Sequence, residues 1–436
     1  MSIKVLYDTL IIGIAQSDAK EKTGIYRVTK NIADGLSRAE EVELSFSNHH
    51  PYSKYAHEYL SADPVLRQHP IQYPSASQEK IVRLANRLRS WQTAMQNRTT
   101  NQAILSKGMY ALGSKSLTPL LMAANKLHHK AQQSALANLQ VYHSPFHPIP
   151  HFARTTPHLK KFVTFYDLIP HIYPNYFRDS YIGEVIRQAA KSILPNGYGF
   201  SISQSTKNDL CNFEPAIDPE HIFVTHLAAD INVFYSFPDA ETAAQVRSRY
   251  GIPDAPYFLS LCTLEPRKNI DHVVRCFVKL VNEQHLNDAN LVLVGVKGWK
   301  FERIFNEIED SRHLKNRVIV TGFADDRDLS AIYSGALGFL YMSFYEGFGL
   351  PPLEAMQCGV PVVTSDTSSL PEVVGGAGIM LGPTDADGLC QAMLRLYGDS
   401  GLRAEMSQKS LARAANFSWE KTVQQTINGY KTAFNR

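Results

Sequence analysis

The sequence predicts an α/β protein with two doubly wound, Rossmann-like domains, and three observations lead there. The chain has 436 residues, too many for one ordinary core and suited to two domains of about 200 residues each. Residues 3–36 read as a buried strand over 3–12, a polar loop, a glycine turn at Thr23-Gly24 and a helix with Val28, Ile32 and Leu36 on one stripe. That order opens a nucleotide-type α/β domain. After the proline-punctuated stretch 236–255, apolar runs at 257–261, 291–294, 318–320 and 336–342 return as strands separated by helical segments.

Composition narrows the class. Apolar residues make up 44% and charged residues 19%, the balance of a soluble globular protein. No apolar run approaches the roughly 20 residues of a membrane-spanning helix. The apolar N-terminus is interrupted by Asp8 and lacks a small-residue cleavage site, so it reads as a first strand and not as a signal peptide. Five cysteines (211, 262, 276, 358 and 390) are scattered without metal-ligand spacing and fit reduced core thiols of a cytosolic protein.

The formal net charge of +3 hides a segregation. Between Glu79 and Asp167 there is no acidic residue, whereas Lys80, Arg83, Arg87, Arg89, Arg98 and further basic residues through Lys161 fall in that interval. Ile81, Leu84, Leu88, Trp91 and Met95 recur there at helical spacing, so a basic helical insertion is expected at about 78–140. Such a helix either packs its apolar stripe on its domain or lays its charges on an anionic membrane surface, and both can hold. Nucleic acid is not an expected partner, because the segment has no recognisable binding module.

The chain is organised around Tyr345–Val363, Y-E-G-F-G-L-P-P-L-E-A-M-Q-C-G-V-P-V-V. Gly347 and Gly349 suit close backbone approach or positive φ. Pro351 and Pro352 suit a first helical turn, which is also where Glu354 is expected. Gly359 reads as the helix stop. A loop of N–H groups leading into a helix suits an anion. Glu346 and Glu354 beside it suit hydroxyls, since an ionised carboxylate only accepts hydrogen bonds. Phosphate together with a polyol describes a nucleotide sugar. Upstream, Thr263–Asn269 (T-L-E-P-R-K-N) puts Arg267 and Lys268 on a tight turn just before a helix, a planar fork and a point charge suited to a diphosphate.

The 346–363 stretch resembles the E-x7-E signature of retaining glycosyltransferases of family 4, which have the GT-B fold of two Rossmann-like domains facing across a cleft. The P-R-K-N turn is similar to that family's phosphate-binding turn, although Leu261-Cys262 stands where the family usually has glycine. The resemblance implies that Arg267 and Lys268 stabilise the departing diphosphate, Glu346 meets the donor sugar and Glu354 holds the ribose. It also implies that the backbone of Gly347, Phe348, Gly349 and Leu350 touches the sugar and diphosphate, and that Gly24 lies against the diphosphate. Tyr166-Asp167 stands where the family has His-Asp, so the histidine's role does not transfer. Asp167 either orients an acceptor hydroxyl or caps the following turn. Phe323 either contacts the base or packs in the core. His143 reads as a satisfied histidine.

The implied organisation is an acceptor-binding domain over 1–240, a nucleotide-sugar domain over 255–415 and a helix over 416–436 crossing back to the first domain. The implied activity is retaining transfer of a hexose without metal or cofactor. Fragments such as S-F-Y-E-G-F-G-L-P-P-L-E-A-M look like mannosyl- and rhamnosyltransferases of bacterial polysaccharide assembly, which suggests GDP-mannose as donor. The acceptor expected is a glycan or a polyprenyl-diphosphate-linked glycan, approached from the cytoplasm or the inner membrane face through residues 80–166. A GT-B phosphorylase, a sugar-nucleotide epimerase and a non-catalytic sugar-nucleotide-binding scaffold are the competing readings.

Overall fold

The computed structural model describes residues 2–18, 24–47, 50, 52–72, 136–176, 181–295 and 316–436. Among them run two sheets. The first joins β1 (Ile3–Asp8), β2 (Val42–Ser47), β3 (Ile71–Gln72), β4 (Val141–Ser144), β5 (Lys160–Phe165), β6 (Tyr198–Ser201) and β7 (Ile222–Val224) in the order β3-β2-β1-β4-β5-β6-β7. The second joins β8 (Tyr257–Leu261), β9 (Asn290–Val294), β10 (Val318–Gly322), β11 (Gly338–Tyr341), β12 (Val362–Ser365) and β13 (Ile379–Leu381) in the order β10-β9-β8-β11-β12-β13.

Both orders are doubly wound and reverse direction once, at β1/β4 and at β8/β11. The pairs across those points are parallel, with Val5 opposite Val141 and Leu6 opposite Tyr142 in one sheet, and Phe339 opposite Leu259 in the other. Strands covered on both faces need apolar side chains throughout, so they read as continuous runs and not as alternation. β9 (N-L-V-L-V) and β11 (G-F-L-Y) are buried at every position.

The chain divides into two compact units, one of Met1–Thr164, Gln188–Gly199 and Tyr430–Arg436, the other of Phe165–Arg187 and Phe200–Gly429. In the first unit the helix Gly24–Arg38 buries Tyr26, Val28, Ile32, Ala33 and Leu36, the stripe its periodicity predicts. Tyr7 on β1 donates its hydroxyl to the Thr29 carbonyl of that helix at 3.2 Å. His143 on β4 is fully buried, with Nδ1 2.6 Å from the Tyr430 hydroxyl and Nε2 2.8 Å from Thr164 Oγ1. It is a satisfied core histidine. Burial pulls its pKa down to about 3.

One expectation for this unit is corrected. The strand predicted over 3–12 ends at Asp8, and Leu10–Ser17 is a helix. Asp8 Oδ1 accepts from the Leu10 N–H at 2.8 Å, which turns the chain out of the sheet. The L-I-I-G-I-A run misleads because a short, wholly apolar stretch looks the same as a buried helix or a buried strand.

In the second unit the helix Ile270–Asn282 covers the sheet with Val273, Val274, Phe277 and Leu280. The helix Gln204–Phe213 is capped by Ser203, whose hydroxyl accepts from the Thr206 N–H at 3.0 Å. The Glu372 carboxylate takes the next free donors of that helix, the N–H groups of Gln204 at 2.6 Å and Ser205 at 2.7 Å. A carboxylate at a helix N-terminus satisfies orphan donors and complements the dipole. All five cysteines are free thiols, four of them buried.

The helical insertion expected at 78–140 lies outside the described residues, apart from 136–140. The membrane-binding expectation for residues 80–166 rests mainly on that part of the chain. No helix among the described residues is long and apolar enough to cross a membrane.

Candidate active site

The candidate site lies in the second unit, where the second sheet changes direction. In open parallel sheets, the loops after the two strands that flank such a point form the ligand crevice. Here one loop follows β8 and carries Arg267 and Lys268 on the short 3-10 turn Pro266–Lys268. The other follows β11 and carries Glu346. Sheet topology thus brings Lys268 together with Glu346, 78 positions later in the sequence.

The three side chains form one buried charge cluster. Arg267 Nη1 is 2.9 Å from Glu346 Oε2, and Lys268 Nζ is 2.6 Å from Glu346 Oε1. Arg267 Nη2 also bonds Glu265 Oε1 at 2.7 Å, while Nη1 donates to the Tyr345 carbonyl at 2.7 Å. Lys268 donates to the Tyr341 hydroxyl at 2.8 Å and lies 5.2 Å from the centre of that ring. Tyr341 and Ser343 donate to Glu346 Oε1 at 2.9 and 2.5 Å.

Glu346 is 8% exposed. Burial by itself would raise its pKa, but the Lys268 and Arg267 charges outweigh that and hold it at about 2. Burial likewise works against the Arg267 cation, and Glu346 and Glu265 reverse the sign and raise its pKa. Glu346 and Arg267 therefore stay ionised at neutral pH, aimed and largely dehydrated. Lys268 has three donors and Arg267 five, so neither exhausts its hydrogen-bonding capacity on these carboxylates.

The backbone explains why this turn has its sequence. Asn269, which links the 3-10 turn to the helix Ile270–Asn282, is left-handed with φ 55°, a conformation that asparagine tolerates better than most residues. Its side chain donates to the carbonyls of Met342 at 3.0 Å and Pro383 at 2.7 Å, tying the Arg-Lys turn to the end of β11. Gly295 (φ +144°) lies against Cys262, and a Cβ there would be 1.9 Å from the Cys262 carbonyl oxygen.

The Glu346 loop is held by the segment after β12. Ser368 accepts from the Glu346 N–H at 2.9 Å, and the Ser369 hydroxyl reaches the carbonyls of Glu346 and Phe348 at 2.9 and 2.7 Å. The two glycines of the motif answer to different needs. Gly347 has no room for a side chain, since a Cβ would fall 2.4 Å from the Tyr166 carbonyl oxygen and 2.9 Å from Asp167 Cβ. Gly349 has φ +115° and starts the helix Leu350–Gln357. Phe348 is buried between His226 and Phe417, at ring distances of 6.1 and 6.0 Å. Its side chain packs, which leaves its backbone as the part able to meet a ligand.

Glu354 is 8% exposed and accepts from the Tyr333 hydroxyl at 3.0 Å. It does not lie in the first helical turn. Gly349 starts the helix at Leu350, ahead of the two prolines, so Glu354 is the fifth helical residue and the dipole argument for it weakens. Gly359, with φ +75°, follows the helix end as predicted.

Asp167 joins the cluster. It sits on the loop after β5 against Gly347, and its Oδ1 accepts from the Ile169 N–H at 2.9 Å, so it does brace the following turn. Burial raises its pKa, while the Ile169 N–H and the Arg267 charge pull the other way. Phe323 follows Gly322 (φ +75°) at the end of β10 and is 69% exposed, which removes core packing as its role. Gly24 belongs to the first unit and opens the helix Gly24–Arg38, and a Cβ there would meet nothing within 4 Å.

Tyr341, Ser343, Glu265, Asn269, Ser368 and Ser369 are the members that sequence reasoning missed. A signal existed for two of them. Tyr341 and Ser343 stand where the apolar run of β11 turns polar, at the carboxyl end of a strand beside the reversal point. Among the described residues no group of three or more His, Cys, Asp or Glu side chains is arranged to hold a metal ion.

Comparison with known proteins gives this arrangement a context. Residues 244–413 match the family model described as glycosyl transferases group 1. The chain is 34% identical over 318 residues to the O-antigen chain mannosyltransferase B of Escherichia coli, covering 72% of this chain and 80% of that one. Sucrose-phosphate synthase from Thermosynechococcus elongatus has a similar fold, with a TM-score of 0.64 at 18% identity over 99% of both chains. So does Anabaena HepE in complex with UDP and glucose, with a TM-score of 0.62 at 15% identity over 99% of this chain and 100% of that one. The chain belongs to the group 1 glycosyltransferases and has their GT-B architecture of two doubly wound sheets.

Proposed function

We propose that the chain transfers mannose, with retention of anomeric configuration and without a metal, from GDP-mannose to a growing glycan in cell-surface polysaccharide synthesis. The observation that carries this reading is the convergence of Arg267 and Lys268 on Glu346 at the reversal point of the second sheet. Similarity to an O-antigen mannosyltransferase supports mannose as the sugar.

The chemistry follows from charge. Breaking the bond between the anomeric carbon and the diphosphate leaves positive character on the sugar and negative charge on the leaving group. Arg267 and Lys268 are fixed cations in a poorly hydrated setting, and one such preorganised donor is commonly worth about 3–4 kcal/mol at a developing anion. Glu346, ionised between them, aims both cations and accepts from a donor-sugar hydroxyl. Glu354 accepts from the ribose hydroxyls. The backbone of Gly347–Leu350 lines the diphosphate and sugar, and Phe323 offers an exposed ring to the base. Asp167 orients the acceptor hydroxyl, whose proton passes to the leaving phosphate. Residues 255–415 hold the nucleotide sugar and residues 1–240 the acceptor, a glycan free or linked to polyprenyl diphosphate. Gly24 approaches the diphosphate from the first domain, and the basic stretch within 80–166 meets an anionic membrane surface on the cytoplasmic side.

The test is a melting-temperature panel with GDP, UDP, dTDP and ADP, followed by product analysis with the matching mannose nucleotide. A ligand that binds only the folded chain at 100 times its Kd adds about 2.7 kcal/mol of stability. GDP is expected to give the largest shift, and NMR of the product an α-mannoside. A larger shift with UDP would overturn the donor assignment. No shift with any nucleotide would overturn the activity.

A further inference from the structure

The loop that carries Asp167 continues to Tyr173 and Tyr176, and these rings meet a third one belonging to the motif itself. Tyr173 lies 5.3 Å from the ring centre of Tyr345 and 5.7 Å from that of Tyr176. Tyr345 is held on two sides. Its hydroxyl donates to Asp209 Oδ2 at 2.7 Å, and its carbonyl accepts from Arg267 Nη1 at 2.7 Å, one residue before Glu346. The Tyr176 phenol is within electrostatic reach of the same arginine: burial and Tyr173 raise its pKa while Arg267 opposes them. All three tyrosines are half-buried, and Pro174 and Asn175 between two of them are exposed.

This is an aromatic surface attached to the charge cluster through one residue, Tyr345. It adjoins the cation site through the Tyr345 backbone, whose carbonyl accepts from Arg267. A pyranose ring has an apolar face of C–H groups and a rim of hydroxyls. Aromatic rings offer large apolar area and a negative face that attracts such C–H groups, and tyrosine adds a hydroxyl for the rim. Small-molecule sites commonly combine an aromatic lining with a few polar groups that fix orientation.

We propose that Tyr173, Tyr176 and Tyr345 form the acceptor subsite, on which a pyranose ring of the acceptor glycan stacks with its hydroxyl directed toward Asp167 and the Arg267–Glu346 cluster. The assignment rests on the glycosyl-transfer reading. It predicts that acceptor specificity is set partly by a loop of the second compact unit and not by the first unit alone.

The experiment uses the full chain and an α-linked mannotriose as the acceptor probe, with its binding followed by ligand-observed NMR and its KM by product formation. Tyr173→Ala and, separately, Tyr176→Ala are expected to weaken binding and raise acceptor KM about tenfold, equivalent to about 1.4 kcal/mol. Acceptor kcat should change less than KM, and Tyr173→Phe should restore most of the loss. The nucleotide-induced melting shift of each variant reports that it is folded and that the donor side is intact. Ala variants that hold mannotriose as tightly as the wild type would overturn the subsite, as would a wild type that takes up nucleotide but no glycan. A wild type that takes up no nucleotide overturns the glycosyl-transfer reading instead.

Discussion

The two sheets reverse their strand order at equivalent points, yet the residues found there have opposite characters. At the β8/β11 reversal two cations and two carboxylates are concentrated within hydrogen-bond distance. At the β1/β4 reversal the hydrogen-bonded side chains among the described residues are mostly neutral. The Tyr142 hydroxyl and, at 3.2 Å, the Ser47 hydroxyl donate to Asp8 Oδ2, and His143 is enclosed by Thr164 and Tyr430. Topology supplies a crevice in both places; the residues on the strand ends and following loops decide what it can bind. The charged point holds two fixed cations, Arg267 and Lys268, on one carboxylate.

The electrostatics separate the two points further. His143 and Glu346 both have depressed pKa values, for opposite reasons. Burial alone disfavours the imidazolium of His143. Burial disfavours the Glu346 carboxylate too, and Lys268 and Arg267 overcome it. Burial keeps the histidine neutral at one point, and two cations keep the carboxylate ionised at the other.

The largest effect that would sharpen this contrast is on turnover. Lys268→Ala is expected to lower kcat by roughly 10²–10³-fold, the usual cost of one preorganised donor, while the protein still melts cooperatively because Arg267 continues to pair with Glu346. Initial rates with the nucleotide sugar, alongside thermal melts, check both halves. Near wild-type turnover would remove the distinction between the two reversal points.

Next in size is the response to acid. Each group has a folded-state pKa below its unfolded value, so the unfolded chain binds more protons and stability falls as pH falls. For His143 the loss runs from about 6.5 down to about 3, and for Glu346 from about 4.5 down to about 2. Melting temperature measured against pH should therefore begin to decline below about 6.5. His143→Gln should flatten the upper part of that decline, and Glu346→Gln only the lower part. A His143→Gln profile parallel to wild type between pH 6 and 5 would contradict a neutral buried imidazole.

The smallest effect is expected at Phe323. An exposed ring contributes little to folding, so Phe323→Ala should change stability by no more than about 0.5 kcal/mol. If the ring meets the base, the same substitution reduces the melting shift produced by the preferred nucleotide and leaves the shift from inorganic diphosphate intact. Equal loss of both shifts would relocate Phe323 from base recognition to the phosphate side.

What could be read from the sequence follows from which forces are local. The Arg267-Lys268 turn and the Glu346–Gly359 loop and helix were legible because glycine and proline act through their own backbone. Gly347 and Gly349 could both be marked as special, although only the fold shows that one is pressed against Tyr166 and the other turned to positive φ. The helix Leu10–Ser17 was misread because its run is apolar on every side. Glu354 was assigned a turn too early because the start of its helix depends on the φ of Gly349.

By itself, then, the sequence determined two wound sheets, the Glu346–Gly359 motif and the residue types that suit a diphosphate and hydroxyls, since these depend on spacing and local backbone preference. Only the tertiary structure decided that Arg267 and Lys268 share a single carboxylate, that Tyr341 and Ser343 complete its shell, and that Asp167 and the Tyr173–Tyr176–Tyr345 rings belong beside them. Those contacts join loops from different strands, and which loops meet is set by strand order, a long-range property that no local pattern encodes.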